Sequence, residues 1–293
     1  MSRGYLFIFF YISYICNADI NINYVKLKKA LALGFPIAIN SIISIVLNFS
    51  DRIIMAKFVS LEKIGVYTLA YTGAMLLYIF IFSFEDAWQP MFYNLMDSSN
   101  SKKYSIIKKM LTYFTVFISF LCLLGQLFGK EIIIFILPKN YNDIVTYLPY
   151  VLGGMVFYGV YHFMANILTY HKNTKIIPLF TFFAAFLNIV LNIIFIPKFG
   201  AIAAAITTII SYFVLAISLL IFIKIKYKKY MFNYKKLTIV FLGILNPMLL
   251  WLVTNQISIR IFLFKLIYLL VFMAFFYKEG LNFISKVAKM KKA

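Results

Sequence analysis

Asp51 and Arg52 stand side by side near the end of a run of nearly thirty mostly apolar residues, in the stretch NFSDRIIMAKF. A charge at the centre of a bilayer costs roughly 2.5–3.5 kcal/mol on insertion scales, so a pair in such a place needs a reason. A guanidinium presents planar paired donors that match phosphate, and a carboxylate can hold a proton or a cation. Glu85 and His162 lie in other apolar runs, and His is the side chain that changes charge near neutral pH. Asp51, Glu85 and His162 are therefore the candidates for coupling ion movement to other work.

A helix advances about 100° per residue. On that spacing Asn40, Ser41, Ser44, Asn48, Asp51 and Arg52 share one third of a circumference. Tyr67, Tyr71, Tyr78, Glu85 and Gln89 align on the next helix; Tyr147, Tyr150, Tyr158, Tyr161, His162 and Thr169 align on a later one. Thr181, Asn188 and Asn192 form a row, as do Thr207, Ser211 and Ser218. These rows predict a bundle around a wet central path. The competing reading is that Asn, Ser and Thr act as hydrogen-bonding glue between helices, with Asp51 and Arg52 neutralising each other.

Catalytic motifs are absent from the sequence: it has no Gly-rich phosphate loop, no nucleophile elbow, no HExxH and no CxxC. Cys16 and Cys122 are isolated thiols in apolar surroundings and make neither a disulfide framework nor a metal site. The reading is of a non-enzyme with no catalytic residue, metal or cofactor.

The elements that hold these residues follow from composition. The chain is 63% hydrophobic and 13% charged, with a mean hydropathy of +0.91. A soluble domain of this size is nearer half apolar and a quarter charged, so the bilayer must be the solvent. The predicted fold class is all-α: a polytopic membrane bundle of about eight full helices. They are Lys29–Lys57, Val66–Tyr93, Tyr104–Phe128, Ile144–Tyr170, Ile176–Ile196, Ala201–Ile223, Leu237–Thr254 and Ile261–Tyr277, preceded by a short apolar run, Gly4–Cys16. Lys265, in the last of them, is expected to snorkel to the interface.

The net charge of +20 falls in short connections, which excludes a nucleic-acid partner and points to lipid headgroups. KLKK, the 97–109 region, HKNTK, 224–236 and the tail after Tyr277 hold 20 Lys; the alternate connections hold five Lys or Arg. That asymmetry places the first set, and the C-terminus, on the cytoplasmic side.

Two stretches carry a family resemblance. SDRIIMAKFVSLEKIGVYTLAYTGAMLLYIFIFSFEDAWQPMFYNLM (50–96) has a helix ending in Asp-Arg, a short outer loop and a helix closing in Trp88-Gln89-Pro90 before Phe92-Tyr93. NIVLNIIFIPKFGAIAAAITTIISY (188–212) has an Asn-rich helix, a Pro-x-x-Gly hairpin and a returning Ala/Thr-rich helix. Both resemble the oligosaccharide flippases of the multidrug/oligosaccharidyl-lipid/polysaccharide exporter superfamily. The resemblance runs over roughly 25–223.

It implies a fold of two six-helix bundles facing a cavity, of which this chain resembles the carboxyl-terminal part. Residues 1–24 would be the remnant or final helix of a first bundle, 25–223 the second bundle, and 224–293 two additional helices with a basic cytoplasmic tail. The implied function is flipping of an undecaprenyl-diphosphate-linked oligosaccharide across the bacterial inner membrane, for O-antigen, capsule or another surface polysaccharide. Arg52 would then meet the diphosphate, and Asp51, Asn48, Ser44, Asn40, Tyr67, Tyr71, Tyr78, Tyr158 and Tyr161 would line the cavity. The implied partners are the lipid-linked substrate, the bilayer, and either a missing amino-terminal bundle or other polysaccharide-assembly membrane proteins. The alternatives are a non-transporting half-transporter, a drug or metabolite exporter of the same superfamily, and an integral-membrane glycan polymerase or ligase.

Overall fold

The computed structural model describes residues 23–230, 232–250 and 258–290. The run Gly4–Cys16 and the 251–254 end of the seventh expected span lie outside them. The described residues form helices α1 (Tyr24–Met55), α2 (Leu61–Ala74), α3 (Leu76–Asp97), α4 (Lys103–Ile136), α5 (Ile144–Tyr170), α6 (Ile177–Phe199), α7 (Ala201–Lys226), α8 (Tyr234–Leu250) and α9 (Ile259–Met290). Among the described residues seven helical stretches are long and apolar enough to cross a membrane, counting α2 and α3 as one span. The all-α polytopic bundle is what the apolar runs predict.

Several boundaries differ from the sequence reading. The span expected over Val66–Tyr93 starts at Leu61 and breaks at Met75, whose N–H bonds Tyr71 O at 2.9 Å while its own carbonyl accepts from Tyr78 N. KLKK is the first turn and a half of α1 instead of a loop, because Asn23 caps the helix with its side-chain oxygen 3.1 Å from the N–H groups of Val25 and Lys26. Lys130 and Glu131, read as loop residues, sit in the last turns of α4, and α9 continues beyond Tyr277.

α5 is the axle of the bundle. Every residue from Val151 to Tyr161 is buried, and the helix packs on α7, α4, α2 and α3. Its glycines permit the approach: a Cβ on Gly154 would sit 3.1 Å from the Tyr212 ring and 3.6 Å from Ile209 Cα. α1 packs along α6, and α6 on α7, while α1 and α3 meet only lightly, through contacts that include the Tyr78–Asn48 hydrogen bond. The exterior is apolar. Phe182, Phe183, Phe186 and Ile193 on α6, and Phe35, Ile42 and Ile53 on α1, are all exposed, as a hydrocarbon solvent requires.

The lysine-rich connections gather at one end. Tyr170 donates to Asp97 Oδ1 at 2.6 Å, His171 Nε2 pairs with the Tyr230 hydroxyl at 3.0 Å, and the Tyr104 ring stands edge-on to Tyr230. Burial, then the charge of Lys226, lowers the pKa of the His171 imidazole from its ordinary value, and the ring stacks on Tyr227 with centroids 4.3 Å apart. At the other end Lys265 is 4% exposed and donates to Glu131 Oε1 at 2.6 Å. Lys265 therefore does not snorkel: a carboxylate within reach removes the need for water.

The α6–α7 turn rests on Gly200, at φ 65° and ψ −146°. That region is almost closed to residues with a Cβ. Gly200→Ala is expected to destabilise the fold by about 1–3 kcal/mol, read as a lowered unfolding temperature of the detergent-solubilised protein. An unchanged temperature would show that the turn relaxes freely.

Candidate functional site

The polar rows predicted from the sequence meet inside the bundle as three linked clusters. The first lies where α1 meets α2, α3 and α7. Asp51 is 1% exposed; its Oδ1 takes Arg52 Nη1 at 2.8 Å and its Oδ2 accepts from the Tyr67 hydroxyl at 2.5 Å. Arg52 Nη1 also donates to Asn48 O at 2.6 Å, and the guanidinium lies over the rings of Tyr71 (4.3 Å), Phe49 and Tyr67. Arg52 Nε is buried without a partner. A buried pair closed in by aromatic faces keeps its charges at a depth where an isolated one would be expelled.

Asn48 is the hub. Its Oδ1 accepts from the hydroxyls of Tyr71 at 2.8 Å, Tyr78 at 3.3 Å and Tyr212, and Tyr71 and Tyr212 lie 3.1 Å apart. The second cluster pairs His162 Nδ1 with Glu85 Oε2 at 2.8 Å, and Asn166 Nδ2 donates to Glu85 Oε1 at 3.3 Å. Tyr158, Tyr161 and Phe82 surround the imidazole with centroids 4.5–5.2 Å away, and His162 Nε2 is buried without a partner. Asn40 Nδ2 joins from α1 through the Tyr161 hydroxyl at 2.9 Å, which also meets Thr181 Oγ1. The third cluster is a seam: Ser50 Oγ to Asn188 Oδ1 at 3.4 Å, Asn192 Nδ2 to Asn188 Oδ1 at 2.9 Å, and Thr207 to Asn192.

The rows did not survive intact. Tyr67 and Tyr71 reach Asp51 and Asn48, Tyr78 beyond the Met75 break also reaches Asn48, and Glu85 two turns further on meets His162, so the row divides between two clusters. Ser41 is exposed and bonds its own helix at Ile37 O. Thr169 and Ser218 likewise bond backbone carbonyls of the preceding turn, and Gln89 reaches only Tyr93. Tyr67, Tyr71, Tyr161 and Tyr212 are fully buried, whereas Asn40, Ser44, Arg52, Tyr78, Glu85 and His162 keep partial exposure. Tyr78 of α3 reaches Asn48 of α1, Asn40 of α1 reaches Tyr161 of α5, and Glu85 of α3 pairs with His162 of α5, so the half-exposed strip runs between α1 and α3 over α5.

Ser50, Asn166 and Tyr212 were missed by the sequence reading. Asn166 stands one helical turn after His162, which is signal enough to find it, whereas Tyr212 adjoins Ser211 but lies off the Thr207, Ser211 and Ser218 row. Ser50 carries no such signal beyond being next to Asp51.

The MatE family profile matches residues 36–194, more than half of the 293-residue chain. The chain is 25% identical over 222 residues to the uncharacterized membrane protein MJ1068 of Methanocaldococcus jannaschii, covering 75% of this chain and 44% of that protein. In fold it is similar to the lipid II flippase MurJ in an inward closed conformation, with a TM-score of 0.61, 20% identity, and coverage of 84% of this chain and 52% of that one. It is also similar to a multidrug resistance MATE family transporter of the MOP superfamily in an outward-facing conformation, with a TM-score of 0.52, 17% identity, and coverage of 78% and 53%. The chain thus spans about half the length of the relatives it matches. The break at Met75, the buried Asp51–Arg52 pair and the α6–α7 hairpin all lie within or beside the matched segment, and the chain belongs to the MatE family.

Proposed function

We propose that this chain forms one helical bundle of a transporter that moves a polyprenyl-diphosphate-linked oligosaccharide across the cytoplasmic membrane for surface polysaccharide assembly, working with a second bundle. The observation that carries the reading is the half-exposed flank between α1 and α3. There Tyr78 and Phe82 stack, Tyr158 and His162 stand behind them, and Asn40 and Glu85 supply amide and carboxylate groups. Aromatic faces beside hydrogen-bonding groups suit sugars, whose faces are apolar and whose edges are hydroxyls. A small lipophilic cation would need only the aromatic faces and a carboxylate, which makes drug export the second reading. The likeness to a lipid II flippase fold and the sequence resemblance to oligosaccharide flippases support the first. Alternating access would come from the two bundles rocking about this flank, with Glu85 and His162 as the coupling pair.

In a background with Cys16 and Cys122 replaced by Ser, Tyr78→Cys and Ser44→Cys are expected to react with a membrane-impermeant maleimide in intact membranes, while Phe183→Cys, on the apolar exterior, stays inert. Glu85→Gln is expected to lower translocation of a fluorescent polyprenyl-diphosphate oligosaccharide at least about tenfold, in line with loss of a group that must change charge. Inert cysteines at both flank positions, or drug resistance conferred without glycolipid translocation, would overturn the proposal.

A further inference from the structure

A basic pocket of about 260 Å³ lies at the lysine-rich end, between α4, α9 and the start of α8. Ser105, Lys108, Lys109, Thr112, Lys236 and Glu279 line it. Lys236 is paired with Glu279. Neither Lys108 nor Lys109 has an acidic partner among the described residues, which leaves two uncompensated ammonium groups facing one small volume. One turn further along α4 the lining changes. A groove of about 340 Å³ between the same two helices is walled by Phe117, Phe120, Phe272, Met273, Phe276 and Tyr277.

Pocket and groove lie in line. Lys108, Thr112, Val116 and Phe120 are four residues apart and stack along one ridge of α4, so the polar end and the apolar end belong to one face. From Lys108 to Phe120 the helix rises about 18 Å, which is a little over half of a hydrocarbon core about 30 Å thick. The order is cationic at the interface and aromatic towards the midplane. A soluble anion has no use for the groove, and an uncharged lipid has none for the lysines. The flank between α1 and α3 is built from other helices, so this site is separate from the proposed path.

We infer that the α4–α9 face binds an anionic phospholipid of the leaflet next to the lysine-rich loops, its phosphate between Lys108 and Lys109 and one acyl chain in the Phe117–Phe276 groove. Basic pockets between membrane helices hold anionic headgroups in this manner.

The test uses the full chain purified in detergent and native mass spectrometry with dioleoyl phosphatidylglycerol or dioleoyl phosphatidylcholine. Phosphatidylglycerol is expected to be retained preferentially. Lys108→Gln and Lys109→Gln are each expected to weaken it by about fivefold while leaving phosphatidylcholine unchanged. Met273→Trp, which fills the groove, is expected to weaken both lipids, and millimolar inorganic phosphate is expected to displace neither. Lys102→Gln with Lys175→Gln, at exposed positions of the same end, is expected to leave binding as it was. The proposal is overturned if the two lipids bind equally, if the Lys102/Lys175 variant matches Lys108→Gln with Lys109→Gln, or if free phosphate competes and Met273→Trp has no effect.

Discussion

Asn48→Leu is expected to destabilise the bundle by about 2–4 kcal/mol, although the substitution makes the helix more apolar and keeps the branched heavy-atom shape. Three tyrosine hydroxyls, from Tyr71 on α2, Tyr78 on α3 and Tyr212 on α7, converge on the single side-chain oxygen of Asn48. With that oxygen gone, Tyr71 and Tyr212 still have each other at 3.1 Å and Tyr78 keeps its hydrogen bonds with Tyr212 and Tyr158, so one donor of the Tyr71–Tyr212 pair loses its acceptor. An interhelical hydrogen bond in a membrane protein averages about 0.6 kcal/mol and reaches about 1.7, while a buried group left unpaired costs about 1–3. Hub loss lies toward the upper part of that scale because three hydroxyls from three helices lose one shared acceptor at once. Tyr78→Phe removes only the longest of the three bonds and is expected to cost less than about 1 kcal/mol. Thermal unfolding of both variants in detergent checks the ranking. Equal stability of Asn48→Leu and the wild type would mean the network contributes nothing net.

What could be read from the sequence divides along a physical line. A run of about 20 apolar residues must become a membrane helix whatever its neighbours do, so the spans and their alternation were legible. The face each polar residue occupies was legible too, because helical periodicity is local. Partners were not. Nothing in the sequence joins His162 to Glu85, 77 residues away, or Tyr212 to Asn48, 164 away. The break at Met75 has no Pro and leaves no mark in the apolar pattern, and Tyr78 beyond it still reaches the same Asn48 oxygen as Tyr71 before it. Lys265 shows the same limit. A lone lysine in an apolar run reads as one that reaches for water, and only the fold reveals Glu131 beside it. The polar rows were legible as rows; the fold decides that most of their members bond one another, leaving a narrower strip half-exposed.

The sharpest expectation concerns the Asp51–Arg52 pair. Arg52→Ala should cost about 3–5 kcal/mol, because Asp51, 1% exposed, would keep a charge whose remaining partners are the Tyr67 hydroxyl and one backbone N–H. The Arg52 methylenes and the stacking on Tyr71 add to that loss. Neutralising both residues acts differently. Asp51→Asn with Arg52→Gln removes the buried charges together, keeps groups that can hydrogen-bond Tyr67 and Asn48 O, and is expected to recover most of the stability, so the two sites should be strongly non-additive. Stability and transport then separate the two meanings of the pair. If the double variant is stable and translocates glycolipid normally, Asp51 and Arg52 only hold α1 against α2. If it is stable but translocation falls at least about tenfold, the charges themselves are used, and the unpartnered Arg52 Nε is the group left to meet a phosphate. The second outcome is expected: two apolar residues would seal this junction more cheaply than a buried ion pair, so a pair present only for stability has no physical advantage to explain it.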